Sequence, residues 1–92
     1  MFFYNGKYNT QLVKHEEALV ITMEECGELI EACSKAIRCE NYKDERLTEE
    51  VGDVLFLIDL MIERGLVTSE DICSRMEIKK EKLKKWSNLI NE

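Results

Sequence analysis

Ninety-two residues make one domain with a thin hydrophobic core, because a small chain buries a smaller share of its surface than a large one. A hydrophobic content of 45% with 35% charged residues and no proline describes a folded, helix-rich chain and argues against disorder. The formal charge of -6 repels nucleic acid and polyphosphate unless a cation or a local basic stripe intervenes, so a general nucleic-acid binder is disfavoured.

Residues 1–9 form an aromatic arm with neither the basic start nor the long apolar run of a secretion signal. No later segment reaches membrane-spanning length without charge, so the protein is expected in the cytoplasm with no membrane partner. From Leu19 onward, apolar residues recur at Met23, Cys26, Ile30, Cys33 and Ile37, a spacing that a helix turns into one stripe. Helix A is predicted over residues 10–38. The four cysteines, Cys26, Cys33, Cys39 and Cys73, include no CxxC pair, and His15 is the lone histidine, so a zinc site has no support. Cys26 and Cys33 are expected as small apolar fillers of the core, and His15 on the helix surface.

A polar loop, residues 39–44, leads to a second stripe of Leu47, Val51, Val54, Ile58 and Met61, with Gly65 placed as the glycine just past a helix end. Helix B is predicted over residues 45–64. Thr68 then reads as an N-cap ahead of Glu70 and Asp71, and Ile72, Met76, Lys79, Leu83, Trp86 and Ile90 repeat the helical spacing. Helix C is predicted over residues 69–90. The fold class is all-α: a long-helix hairpin plus a third helix, in a single domain spanning 1–92. Helix B carries apolar groups almost all the way round, with Phe56 opposite Val54. That calls for a second protomer, so a homodimer or homotetramer with a four-helix-bundle-type core is expected.

Two acidic pairs interrupt this apolar pattern. Glu50 and Asp53 fall beside Leu57 and Leu60 inside the apolar sector of helix B, where an unpartnered carboxylate costs several kcal/mol as an order of magnitude. Glu25 sits at the shoulder of helix A near Leu29, Ala32 and Ala36, with Glu28 one turn on. Each pair is spaced i,i+3, which places two carboxylates about 5–6 Å apart on one face. Two antiparallel helices then offer four oxygen ligands to one hard cation, Mg²⁺ or Mn²⁺. Gly27 and Gly52 each precede the last acid of a pair, and close helix approach is the expected reason. Asp59 and Glu49 are expected in solvent. On helix C, Lys79 takes a stripe position with Arg75 and Lys82 near it, so three cations are expected to face the acids and bind phosphate oxygens.

These residues resemble a known family. Glu24-Glu25-Cys26-Gly27-Glu28, followed after 21 residues by Glu50-Val51-Gly52-Asp53, looks like the EExxE and ExxD signature of the MazG-like all-α NTP pyrophosphatases. Residues 74–82 resemble the third-helix segment of the dCTP pyrophosphatases within that superfamily, so the resemblance covers about residues 17–83. It implies Glu25, Glu28, Glu50 and Asp53 as metal ligands, and Arg75, Lys79 and Lys82 as contacts to substrate phosphate. Lys79 stands where an asparagine is common in the family, and Lys82 where an arginine is, which keeps the charge and loses the bidentate fork. Relative to the family, the chain is expected to lack most of a helix before helix A, leaving Phe2, Phe3, Tyr4 and Tyr8 as packing or stacking groups.

The resemblance implies a Mg²⁺-dependent hydrolase that splits a nucleoside triphosphate into the monophosphate and pyrophosphate, serving nucleotide-pool housekeeping. Glu24, extra to the ligand set, is the candidate catalytic group that positions water or a second metal. Two alternatives stand beside this reading. One is a phosphoribosyl-ATP pyrophosphohydrolase-like enzyme of the same superfamily, from which the residue 75–82 segment points away. The other is a non-catalytic helical interaction protein with a structural metal site.

Overall fold

The computed structural model describes residues 13–90, together with the backbone of a short antiparallel pairing in which β1, Phe3–Tyr4, meets β2, Lys7–Tyr8. The side chains of Phe2, Phe3, Tyr4 and Tyr8 lie outside the described residues. The rest is all-α: α1 spans Lys14–Arg38, α2 Glu45–Glu63 and α3 Ser69–Trp86.

The helix ends follow from local chemistry. At the start of α1, Glu16 Oε1 accepts from the Val13 backbone N–H at 3.1 Å, which fixes the first turn at Lys14. Residues 10–12 of the expected helix A lie outside the described residues. Asp44 caps α2 by accepting from the Arg46 N–H at 2.9 Å, and Thr68 caps α3 by accepting from the Asp71 N–H at 3.1 Å.

Both α1 and α2 close in the same way. Beyond α1, Glu40 N–H donates to Ile37 O and Asn41 N–H to Ala36 O. Beyond α2, Gly65 N–H donates to Ile62 O and Leu66 N–H to Met61 O. This double bond pattern needs a left-handed residue after the cap. Gly65 supplies it with φ 76°, whereas Glu40 does so with φ 52° and a side chain. The third helix is shorter than residues 69–90. It stops at Trp86 because Ser87 is extended and its Oγ accepts from the Leu89 N–H at 3.2 Å.

Among the described residues, α1 and α2 pack along their lengths as a hairpin, and α3 makes no comparable contact with either. The buried face of α1 consists of Ala18, Ala32 and Ala36, with Ile21, Glu25 and Leu29 half-buried between them. Small side chains let α2 come close, and Leu57 of α2, 5% exposed, fills the contact. The radius of gyration is 16.2 Å, against about 12 Å for a compact domain of this length, so the single chain is open in shape.

The larger apolar stripe of α1 is not the core of the chain. Met23, Ile30 and Ile37 are 72%, 70% and 65% exposed, and Cys26 and Cys33 are exposed with them. That stripe lies one residue, about 100°, round the helix from the alanine face that meets α2. The two cysteines are therefore not fillers of this chain's core. Close approach also does not explain the glycines, since a Cβ on Gly27 or Gly52 would meet nothing within 4 Å. The alanines make the approach instead. Among the described residues, no helix is long and apolar enough to cross a membrane.

Candidate metal centre

The contact face of α1 runs Ala18, Ile21, Glu25, Leu29, Ala32, Ala36, so the helical period that packs the alanines also carries Glu25 into the seam. Across from it, Glu50 of α2 is 9% exposed, the one buried charged residue among those described. Asp53, one turn on, is exposed at the mouth of the seam. Glu25, Glu50 and Asp53 each present a carboxylate oxygen, and these three oxygens lie within 4.8 Å of one another.

Burial raises the pKa of Glu25 above the usual carboxylate value, and the charges of Asp53, Glu50 and Glu28 push it the same way. Three mutually repelling acids at a seam indicate a site that gains by taking up positive charge. The donor set fits a hard divalent cation, which prefers carboxylate oxygen. The three oxygens are near enough to one another that Glu25, Glu50 and Asp53 would hold such an ion after drawing together.

Glu28 does not join the three. It accepts from Arg46 Nη2 at 3.2 Å, and the same guanidinium lies 3.5 Å from Glu50 Oε2 through Nε and 3.6 Å from Glu31 Oε1 through Nη1. Burial lowers the Arg46 pKa, but the charge of Glu31 and the bonds to Glu50 and Glu28 outweigh it, so the net shift is upward. Sequence reading missed Arg46, although its i,i+4 spacing to Glu50 was a usable signal. Part of the positive charge that the acids require thus comes from the chain itself.

Beside Glu25 and Asp53 a pocket of about 390 Å³ opens, walled by Ile21, Phe56, Leu57 and Leu60. Its apolar wall next to carboxylates suits a ligand with a flat apolar part and a charged part. Glu24 is half-buried on α1, whereas Asp59, Glu49 and His15 are exposed.

Within one chain the basic residues of α3 stand apart from the acids. Arg75, Lys79 and Lys82 are exposed, and among the described residues none bonds to the four carboxylates. Lys79 Nζ lies 5.3 Å from the centre of the Trp86 ring, a cation–π contact along α3. A second hollow, about 380 Å³, runs beside Ile78, Lys82 and Lys85, but one helix alone forms its walls.

No curated protein and no solved structure matches the chain. A family match does exist, and it begins at the Val13 cap of α1 and ends at Trp86, the last residue of α3. Covering residues 13–86, it shows that the chain belongs to the family of the MazG nucleotide pyrophosphohydrolase domain.

Proposed function

We propose that this protein is a Mg²⁺-dependent nucleoside triphosphate pyrophosphohydrolase, converting a (d)NTP and water into the (d)NMP and pyrophosphate by attack at the α-phosphorus. The observation that carries the reading is the convergence of Glu25, Glu50 and Asp53 from two antiparallel helices beside an apolar pocket. Glu28 completes the ligand set by turning from Arg46 toward the other three. The bound ion supplies Lewis-acid polarisation of phosphate oxygens and an acidified water.

The chain's own residues do the rest. Glu24 orients the attacking water. Arg75, Lys79 and Lys82 bind the β- and γ-phosphates and hold the departing pyrophosphate, as the likeness of residues 74–82 to dCTP pyrophosphatases suggests. The pocket of Ile21, Phe56, Leu57 and Leu60 receives the base, and its apolar wall excludes water from that side.

Assembly belongs to the same proposal. The exposed stripe of Leu19, Met23, Ile30 and Ile37 on α1, together with Leu55 and Phe56 on α2, is the surface a second copy would bury to make a four-helix core. The weakly held α3 is then free to bring its cations to an acidic seam. A housekeeping role on the cellular nucleotide pool fits this chemistry.

The test is pyrophosphate release from a panel of ribo- and deoxyribonucleoside triphosphates with Mg²⁺. Turnover of at least one triphosphate that stops on Glu50→Gln, with helicity unchanged, is the expected result. Inactivity of the folded wild type across the panel overturns the proposal.

A further inference from the structure

Arg46 holds more carboxylates than any other cation among the described residues, and it does so across the seam. Its Nη2 takes Glu28 of α1, its Nε takes Glu50 of α2, and its Nη1 faces Glu31 one turn beyond Glu28. Two of these three acids are proposed metal ligands, and Glu31 is not.

We propose that Arg46 is a built-in counter-ion of the metal site: it holds Glu28 and Glu50 together when no divalent cation is bound, and its own charge weakens the binding of that cation. The inference rests on the reading of Glu25, Glu28, Glu50 and Asp53 as ligands.

Without Arg46, the cluster of Glu25, Glu50 and Asp53 and the neighbouring Glu28 have no cation bonded to them among the described residues, and the cation-free fold suffers their mutual repulsion. With Arg46, that fold is held, but a divalent cation must compete for oxygens already engaged. It must also sit near a fixed positive charge. Glu31 gives the guanidinium a partner to keep when Glu28 and Glu50 turn to the ion, so Arg46 can yield without being stranded.

A strut with no electrostatic role predicts the opposite sign for cation affinity. Losing a strut loosens the ligands and weakens binding, whereas losing a competing charge strengthens it. A single and a double charge about 6 Å apart in water repel by an amount equivalent to a factor of about ten in affinity.

The probe is Mn²⁺, followed by loss of the free-ion electron paramagnetic resonance signal, with melting in EDTA recorded alongside. Arg46→Gln is expected to melt lower than wild type in EDTA and to bind Mn²⁺ on the order of tenfold more tightly. Arg46→Lys, which keeps the charge, is expected near wild type in Mn²⁺ affinity. Affinity that is unchanged or weaker in Arg46→Gln overturns the inference while leaving the metal site standing. If Arg46→Gln does not fold in EDTA, Mn²⁺ should restore its helical circular-dichroism signal, and failure to do so also overturns it. A wild-type protein that binds no Mn²⁺ sinks the metal reading itself, and the role of Arg46 with it.

Discussion

Replacing Asp53 by asparagine should make the protein more stable without metal and less stable with it. The change keeps side-chain size and removes one charge from the trio whose oxygens lie within 4.8 Å of one another. Two unit charges at that separation repel by about 1 kcal/mol in water, the appropriate medium because Asp53 is exposed. Asp53 repels both Glu25 and Glu50 and has no cation bonded to it among the described residues, so no ion pair is lost. The relief is about 1–2 kcal/mol, which in a domain of this size raises the melting temperature by roughly 4–8 °C per kcal/mol. Magnesium at a hundredfold over its dissociation constant adds about 2.7 kcal/mol to the wild type, and the variant forfeits most of that gain. Melting curves in EDTA and in Mg²⁺ should therefore cross, with Asp53→Asn above wild type in the first and below it in the second. Equal magnesium shifts for both proteins, or a variant that melts lower in EDTA, would refute the reasoning.

Three other outcomes follow from the same geometry. Glu40→Gly should gain about 1 kcal/mol in urea unfolding, since the residue after the α1 cap sits at φ 52° with a side chain that glycine lacks. Gly27→Ala should also stabilise the isolated chain by up to about 1 kcal/mol, because the added methyl meets nothing and alanine favours the helix; a loss in the same unfolding experiment would contradict the open surface there. The pH dependence of Glu25 has a defined sign. Its folded pKa lies above the unfolded one, so the stability tied to its neutral form is complete below about pH 4.5 and is lost as pH rises through the folded value. In EDTA, wild type should thus lose stability relative to Glu25→Gln as pH climbs from 4 toward 7, and a difference that is flat or runs the other way would count against the clustered carboxylates.

Much of the architecture is legible in the sequence because helical period and end signals are local. Gly65 and Thr68 mark the end of α2 and the start of α3 by their own conformational preferences. The acidic pairs are legible for a related reason: a carboxylate placed among leucines conflicts with the pattern around it. The packing face of α1 was not legible. Hydrophobicity ranks Met23 and Ile30 above Ala32 and Ala36, yet the hairpin is made by the residues that permit the closest approach. Two faces of one helix were competing for one neighbour, and size decided against the more apolar one. Arg46 escaped for a different reason. Its spacing to Glu50 is visible along the chain, but Glu28 and Glu31 reach it only once the helices are folded together.

The alanine seam also works as a gauge. Ala18, Ala32 and Ala36 set how near the two helix axes come, and so how wide a gap separates the acids carried on either side. Magnesium wants oxygens at about 2.1 Å and calcium at about 2.3–2.6 Å, so if the acids hold a cation as proposed, methyl groups that touch no ion would bear on which one fits. Enlarging Ala32 would spread the helices and tilt the site toward the bigger cation, with every acidic residue left in place.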